Sequence, residues 1–154
     1  MDLSMSASMR VEETEGEWYN SMPGTGMIYR LIGEAKNDRN QNNRVKAVMA
    51  LGETRDPRAV RTLVEICGDA DPEIRLYATE ALYKLRSCRA VNALIDRLRD
   101  KSERTETRRK AAAALAQIRS YSAIQELKER NSDASEDPAV RSYIATVLGE
   151  QKIS

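Results

Sequence analysis

Apolar residues in this chain recur at helical spacing, and the recurrence is itself repeated along the sequence. Ile74, Ala78, Ala81, Leu82 and Leu85 fall at i, i+4, i+7, i+8 and i+11, which is one face of an α-helix. After a short turn, Ala90, Val91, Leu94, Ile95 and Leu98 make a second stripe. The pattern predicts a pair of amphipathic helices in each unit, with charged residues on the outward faces.

The units superimpose. R-V-K-A-V-M-A-L from Arg44, R-L-Y-A-T-E-A-L from Arg75, R-R-K-A-A-A-A-L from Arg108 and R-S-Y-I-A-T-V-L from Arg141 are spaced 31, 33 and 33 residues apart. Ala59-Val60, Ala90-Val91 and Ala123-Ile124 follow the first three arginines at one fixed distance, and Leu63, Leu94 and Leu127 follow at another. Asp56-Pro57, Asp71-Pro72 and Asp137-Pro138 mark helix starts, where proline needs no N–H partner and aspartate can cap. One hairpin of this size cannot bury its own stripe, so the units must stack into a continuous core. Thr54, where the second unit has Leu85, and Lys128, where it has Ile95, predict looser packing at those points.

The stretch D-P-E-I-R-x-x-A-x-x-A-L-x-x-L-x-x-x-x-A-V-x-x-L, from Asp71 to Leu94, resembles the short HEAT-like repeat of phycobilisome-lyase-type proteins and many archaeal and bacterial scaffolds. The resemblance covers roughly residues 44–151. Ankyrin repeats have a similar period but want T-P-L-H, and the tetratricopeptide pattern of Trp, Gly, Tyr and Pro is missing. The fold expected is all-α, a right-handed α-solenoid of about three HEAT-like helical hairpins with half-repeats at both ends. The repeat domain is expected over 27–154, with hairpins near 44–68, 73–100 and 107–130 and a terminal helix over 139–151. At its front, Ile28, Leu31 and Ile32 predict a lone helix ending in the polar run 37–43. The resemblance also implies that the second helix of each hairpin lines the concave face.

Charge changes the picture more than composition does. The net charge of +1 conceals residues 1–26 at −4, where five carboxylates face Arg10, and residues 84–119 at +7, where eleven Lys and Arg face four carboxylates. The chain has no His, which removes imidazole catalysis, and its two cysteines, Cys67 and Cys88, are not at metal-ligand spacing. Cys67 reads as a core thiol and Cys88 as a turn residue. No cofactor is implied. With neither a signal-peptide pattern nor a membrane-length apolar run, the expected location is cytoplasmic.

Candidate binding residues come from aligning the units. Glu65, Asp96 and Glu129 are equivalent and predict a carboxylate row along the second helices, with Arg61, Asn92 and Gln125 as a parallel hydrogen-bonding row. Adjacent helices lie ~8–10 Å apart, too far for carboxylates of successive units to share one metal ion. In the basic stretch, Arg97, Arg99, Lys101, Arg104, Arg109 and Lys110 are candidate nucleic-acid contacts. The arginines at 44, 75, 108 and 141 read instead as architectural, pairing with an inter-unit aspartate such as Asp71 or Asp137 and with carbonyls at helix ends. The charged loop Asp100–Glu106 reads as mobile. Tyr77 and Tyr143 are equivalent positions flanking the core stripe. Residues 1–26 read as an acidic flexible tail carrying Trp18, Tyr19 and Met22, the residue types that anchor interfaces.

These observations favour a non-catalytic scaffold or adaptor, a subunit or assembly factor of a larger complex. It would bind protein partners through the concave second-helix face and the N-terminal tail. The alternative is a nucleic-acid-binding protein using the basic 84–119 segment. Below it stands a bilin lyase-like chaperone subunit, which the family resemblance brings in.

Overall fold

A computed structural model describes residues 25–153, and all regular structure among them is helical. The elements are α1 (Thr25–Asn37), α2 (Gln41–Thr54), α3 (Val60–Ile66), α4 (Pro72–Leu85), α5 (Val91–Arg99), α6 (Thr105–Ile118), α7 (Tyr121–Ser132) and α8 (Pro138–Ile153). Single 3-10 turns, Pro57–Ala59 and Cys88–Ala90, lead into α3 and α5. The hairpins are α2–α3, α4–α5 and α6–α7, flanked by the single helices α1 and α8. The chain is an α-solenoid. Trp18, Tyr19 and Met22 lie outside the described residues.

The long first helices α2, α4, α6 and α8 pack side by side, and each second helix packs on the first helix that follows it. Their shared interior buries Leu51, Leu63, Ile74, Leu82, Leu94, Leu98, Leu115, Leu127 and Ile144 completely, and α1 adds Ile28 at the front. Small residues set the spacing. Ala111, Ala112, Ala113, Ala114 and Ala116 are all buried on α6, which is flanked by helices on both sides. At Gly52 the approach is closest: a methyl group there would sit 2.9 Å from both Cα and Cβ of Ala81. A side chain at that position would force α2 and α4 apart.

The turns inside the hairpins share one construction. Arg55, Arg86 and Arg119 close α2, α4 and α6 in the left-handed conformation, at φ 53°, 53° and 59°. For a residue with a Cβ this conformation costs about 1–2 kcal/mol. The residue after each arginine then caps the next element: Asp56, Ser87 and Ser120 accept from the N–H groups of Arg58, Arg89 and Ala123. Asn40, Asp71 and Asp137 cap α2, α4 and α8 in the same way. The polar run 37–43 is thus a helix end, a three-residue turn and a helix start. Thr54 does not loosen its unit, because its hydroxyl donates to the Leu51 carbonyl at 2.6 Å and accepts from Asp56 N–H at 3.2 Å. Lys128 is exposed, a surface position where Ile95 is half-buried against the core.

At the opposite edge, each repeated arginine joins two units. Arg44 donates to the Ala35 carbonyl (3.0 Å) and to Asp69 (2.5 Å). Arg75 donates to the Asp69 and Ala70 carbonyls and to Glu103 (2.7 Å). Arg108 donates to the Leu98 carbonyl (2.8 Å) and to Glu136 (2.6 Å), and Arg141 to the Asn131 carbonyl (3.1 Å). The carbonyls stand at or just beyond the carboxyl ends of α1, α3, α5 and α7, where helices leave acceptors unpaired. The architectural role holds, but the carboxylate partners differ from those expected. Asp71 and Asp137 are committed to capping, so Asp69, Glu103 and Glu136 take the arginines instead.

The loop after α5 is likewise pinned rather than mobile. The Glu103 side chain is 0% exposed and lies 2.7 Å from both Arg75 and Arg97. Burial pushes the Glu103 pKa up, but hydrogen bonds from Arg75, the Arg104 backbone and Arg97 outweigh it and hold the carboxyl below its ordinary value of 4.5. The stabilisation this gives is therefore complete above pH 4.5 and fades as pH falls through the depressed value.

Two outcomes are expected from denaturant titrations. Gly52→Ala should lower stability by roughly 1–3 kcal/mol, since the Ala81 backbone cannot give way cheaply. Glu103→Gln should cost about 3 kcal/mol at neutral pH, because Arg75 and Arg97 both lose their buried carboxylate partner. That deficit should shrink below pH 4.5, where the native protein begins to lose the same interaction.

Candidate functional site

The second helices are short, and each buries one stripe. In α5, Val91, Leu94 and Leu98 face the core, which leaves Asn92 and Asp96 exposed. In α3, Val60, Leu63 and Ile66 are buried, while Arg61 and Glu65 are exposed. Between these helices runs a groove. One part, about 260 Å³, is lined by Val64, Cys67, Gly68, Asn92, Ala93, Asp96 and Arg97. An adjoining hollow of about 270 Å³ is lined by Val60, Arg61, Val64 and Arg89. Val64 belongs to both, so an apolar floor continues beneath a polar rim.

The structure thus gathers Arg61, Asn92 and Asp96 on the walls of one groove, with Glu65 on the exposed face of α3. Gln125, half-buried, and Glu129, exposed, stand on α7, the next helix of the row. The carboxylates do not form a bare acidic stripe. Glu65 lies 3.4 Å from Lys36 and 3.9 Å from Arg61. Arg99 has its pKa raised chiefly by Glu126, with smaller contributions from Glu129 and Asp96. Positive and negative groups therefore alternate along the face, an arrangement suited to a partner of mixed polar character.

Glu126 itself was not singled out by the sequence pattern. It is buried on α7, where Arg99 approaches to 2.6 Å and Arg130 to 3.2 Å. The signal was present: the equivalent positions in the other units hold Thr62 and Ala93, and a carboxylate in that row requires a paired cation.

The cations considered for nucleic acid do not form one patch. Arg97 pairs with Glu103 at 2.7 Å and Asp100 at 3.5 Å. Arg99 is held by Glu126, and Lys101 donates to the Ser135 hydroxyl at 3.2 Å. Arg104 and Arg109 are exposed, and Lys110 lies 5.1 Å from the centre of the Tyr83 ring. Among the described residues, no group of three or more His, Cys, Asp or Glu is placed to hold a metal ion. No described helix is long and apolar enough to cross a membrane.

Comparison with known proteins places the geometry in context. Residues 29–106 match the family model described as HEAT repeats. None of the curated protein sequences gives a significant match. Among solved structures, human deoxyhypusine hydroxylase in complex with glycerol superimposes with a TM-score of 0.71 at 21% identity, over 82% of this chain and 44% of that one. At that identity the likeness is one of fold, and the chain spans less than half of the hydroxylase.

The thiols differ in environment. Cys67 borders the groove but is buried, which pushes its pKa up to about 11, with the Thr79 hydroxyl 3.8 Å away. Cys88 is exposed at a hairpin turn. A thiol reagent applied to the native protein near pH 8 should modify Cys88 alone, and Cys67 only after denaturant is added. Equal rates at the two positions in peptide mapping would contradict the burial of Cys67.

Proposed function

Because the chain belongs to the HEAT-repeat family, whose repeats generally mediate protein interactions, we propose that it is a non-catalytic adaptor that holds a protein partner within a larger complex. The observation that carries this reading is the groove between α3 and α5, with its Val64 floor and its rim of Arg61, Asn92 and Asp96. An apolar floor gives affinity to a partner side chain, and the polar rim fixes its orientation. The helices that form the groove are held in place by the stacked core, so little ordering entropy is lost when a partner enters. The hydroxylase activity named for the structural relative is not extended to this chain.

The test is charge reversal along the second-helix row. Glu65→Lys, Asp96→Lys and Glu129→Lys in one protein should leave helicity unchanged, because all three side chains are exposed and surface pairs are worth under ~1 kcal/mol each. Native co-purification after nuclease treatment should recover a stoichiometric protein partner with the unaltered chain and lose it with the triple variant. Retention of that partner would refute the groove as the docking surface. Nucleic acid recovered only when nuclease is omitted, with no protein bound, would refute the adaptor reading itself.

A further inference from the structure

Every first helix that ends in a hairpin ends on an arginine in a backbone conformation that glycine adopts without strain. Arg55, Arg86 and Arg119 stand one repeat apart, all three are exposed, and all lie on the edge where the hairpins turn. Among the described residues, no carboxylate lies within ion-pair distance of any of them. That contrasts with Arg44, Arg75 and Arg108 at the opposite edge, each of which has one. The carboxylates that share the turn edge are already engaged: Asp56 with Arg58 and Glu53 with Lys84. Arg89 adds a fourth cation, donating to the Pro57 carbonyl at 2.8 Å. Arg55 helps to hold the Glu53 carboxyl below its ordinary pKa, behind the larger effect of Lys84, but the edge still carries more cations than carboxylates, with arginine at three positions despite strain.

Helix α1 fixes what can reach that row. It joins α2 through a three-residue turn and packs along it, so the two run antiparallel. The amino end of α1 accordingly lies beside the carboxyl end of α2, and α1 also touches the Pro57–Ala59 turn. The sequence that enters α1 carries Glu12, Glu13, Glu15 and Glu17, the last of them eight residues before Thr25. Eight residues reach up to roughly 26–29 Å. Neighbouring first helices at ~8–10 Å place Arg119 two steps, or roughly 16–20 Å, from Arg55. Both the sign of charge and the reach match.

We infer that the turn edge is a docking surface for this chain's own acidic segment, with Glu12–Glu17 seated across Arg55, Arg86 and Arg119. Linkage through a short connection supplies an effective concentration of roughly millimolar, enough for a few exposed charge pairs to act together. Nucleic acid is a poorer occupant. Duplex DNA presents one negative charge per ~1.7 Å, whereas this row offers one cation per ~8–10 Å on a protein of net charge +1. This surface meets the groove only at Arg89, and the inference does not depend on the adaptor reading.

The chain contains its own reporters. Trp18 is its sole tryptophan, one residue from Glu17, and Cys88 lies two residues from Arg86 at the turn edge, while Cys67 is buried. A dansyl acceptor placed on Cys88 of the full chain should take up Trp18 fluorescence strongly at low salt. Transfer should fall by at least half at roughly 1 M salt, where charges are screened beyond ~3 Å. It should fall equally in an Arg55→Gly, Arg86→Gly, Arg119→Gly variant, whose left-handed turns suit glycine and whose circular dichroism should be unchanged. Transfer that is weak at low salt, or that survives the triple substitution, would overturn the inference. Transfer that rises with protein concentration would replace the intramolecular segment with that of a second copy. Loss of transfer on adding a stoichiometric oligonucleotide would assign the edge to nucleic acid.

Discussion

A hairpin of two short helices has more apolar surface than its two members can cover between them. Everything else in this structure depends on how the next hairpin covers the remainder. The first helices meet side by side through small residues, with the Gly52–Ala81 contact as the limiting case. That closeness lets the leucine of each second helix drop into the seam beneath the following first helix. Stability is therefore a property of neighbours rather than of units, as nearest-neighbour descriptions of repeat proteins hold.

The two edges of the stack are built for different ends. On one, arginines collect the unpaired carbonyls of the preceding helix and a carboxylate from the following turn. Each of those groups would be costly if buried alone. Arg108 and Glu136 are almost wholly buried there, and Glu103 receives two guanidinium groups. On the other edge the arginines terminate helices in a strained conformation, with no carboxylate among the described residues within ion-pair distance. The first edge supplies cohesion, and the second leaves charge available.

Charge in this chain is informative only once it is placed. A count over residues 84–119 gives a strongly basic segment. In the folded protein Arg97, Arg99 and Arg108 are each paired with a carboxylate, and Lys110 lies over Tyr83. What remains is not gathered in a patch, since Arg104 stands at the start of α6 and Arg119 at its end. The second-helix face shows the same principle with opposite sign, since its carboxylates alternate with Lys36, Arg61 and Arg99.

By itself the sequence determined the helical hairpins, the period of the repeat and the three aspartate caps that precede proline, because these follow from local hydrogen bonding and from apolar spacing within a few turns. It also set out the rows on the second helices, since equivalent positions in a repeat share a face. It identified the repeated arginines as architectural without identifying their partners. Asp69 and Glu103 lie some 25 to 28 residues from the arginines they bind, and which carboxylate is engaged depends on which one a helix start has already claimed. Burial of Glu126, pinning of the loop at Glu103 and the close contact at Gly52 were decided only by the tertiary structure. Each depends on the separation of two backbones distant in sequence, a quantity no local pattern records.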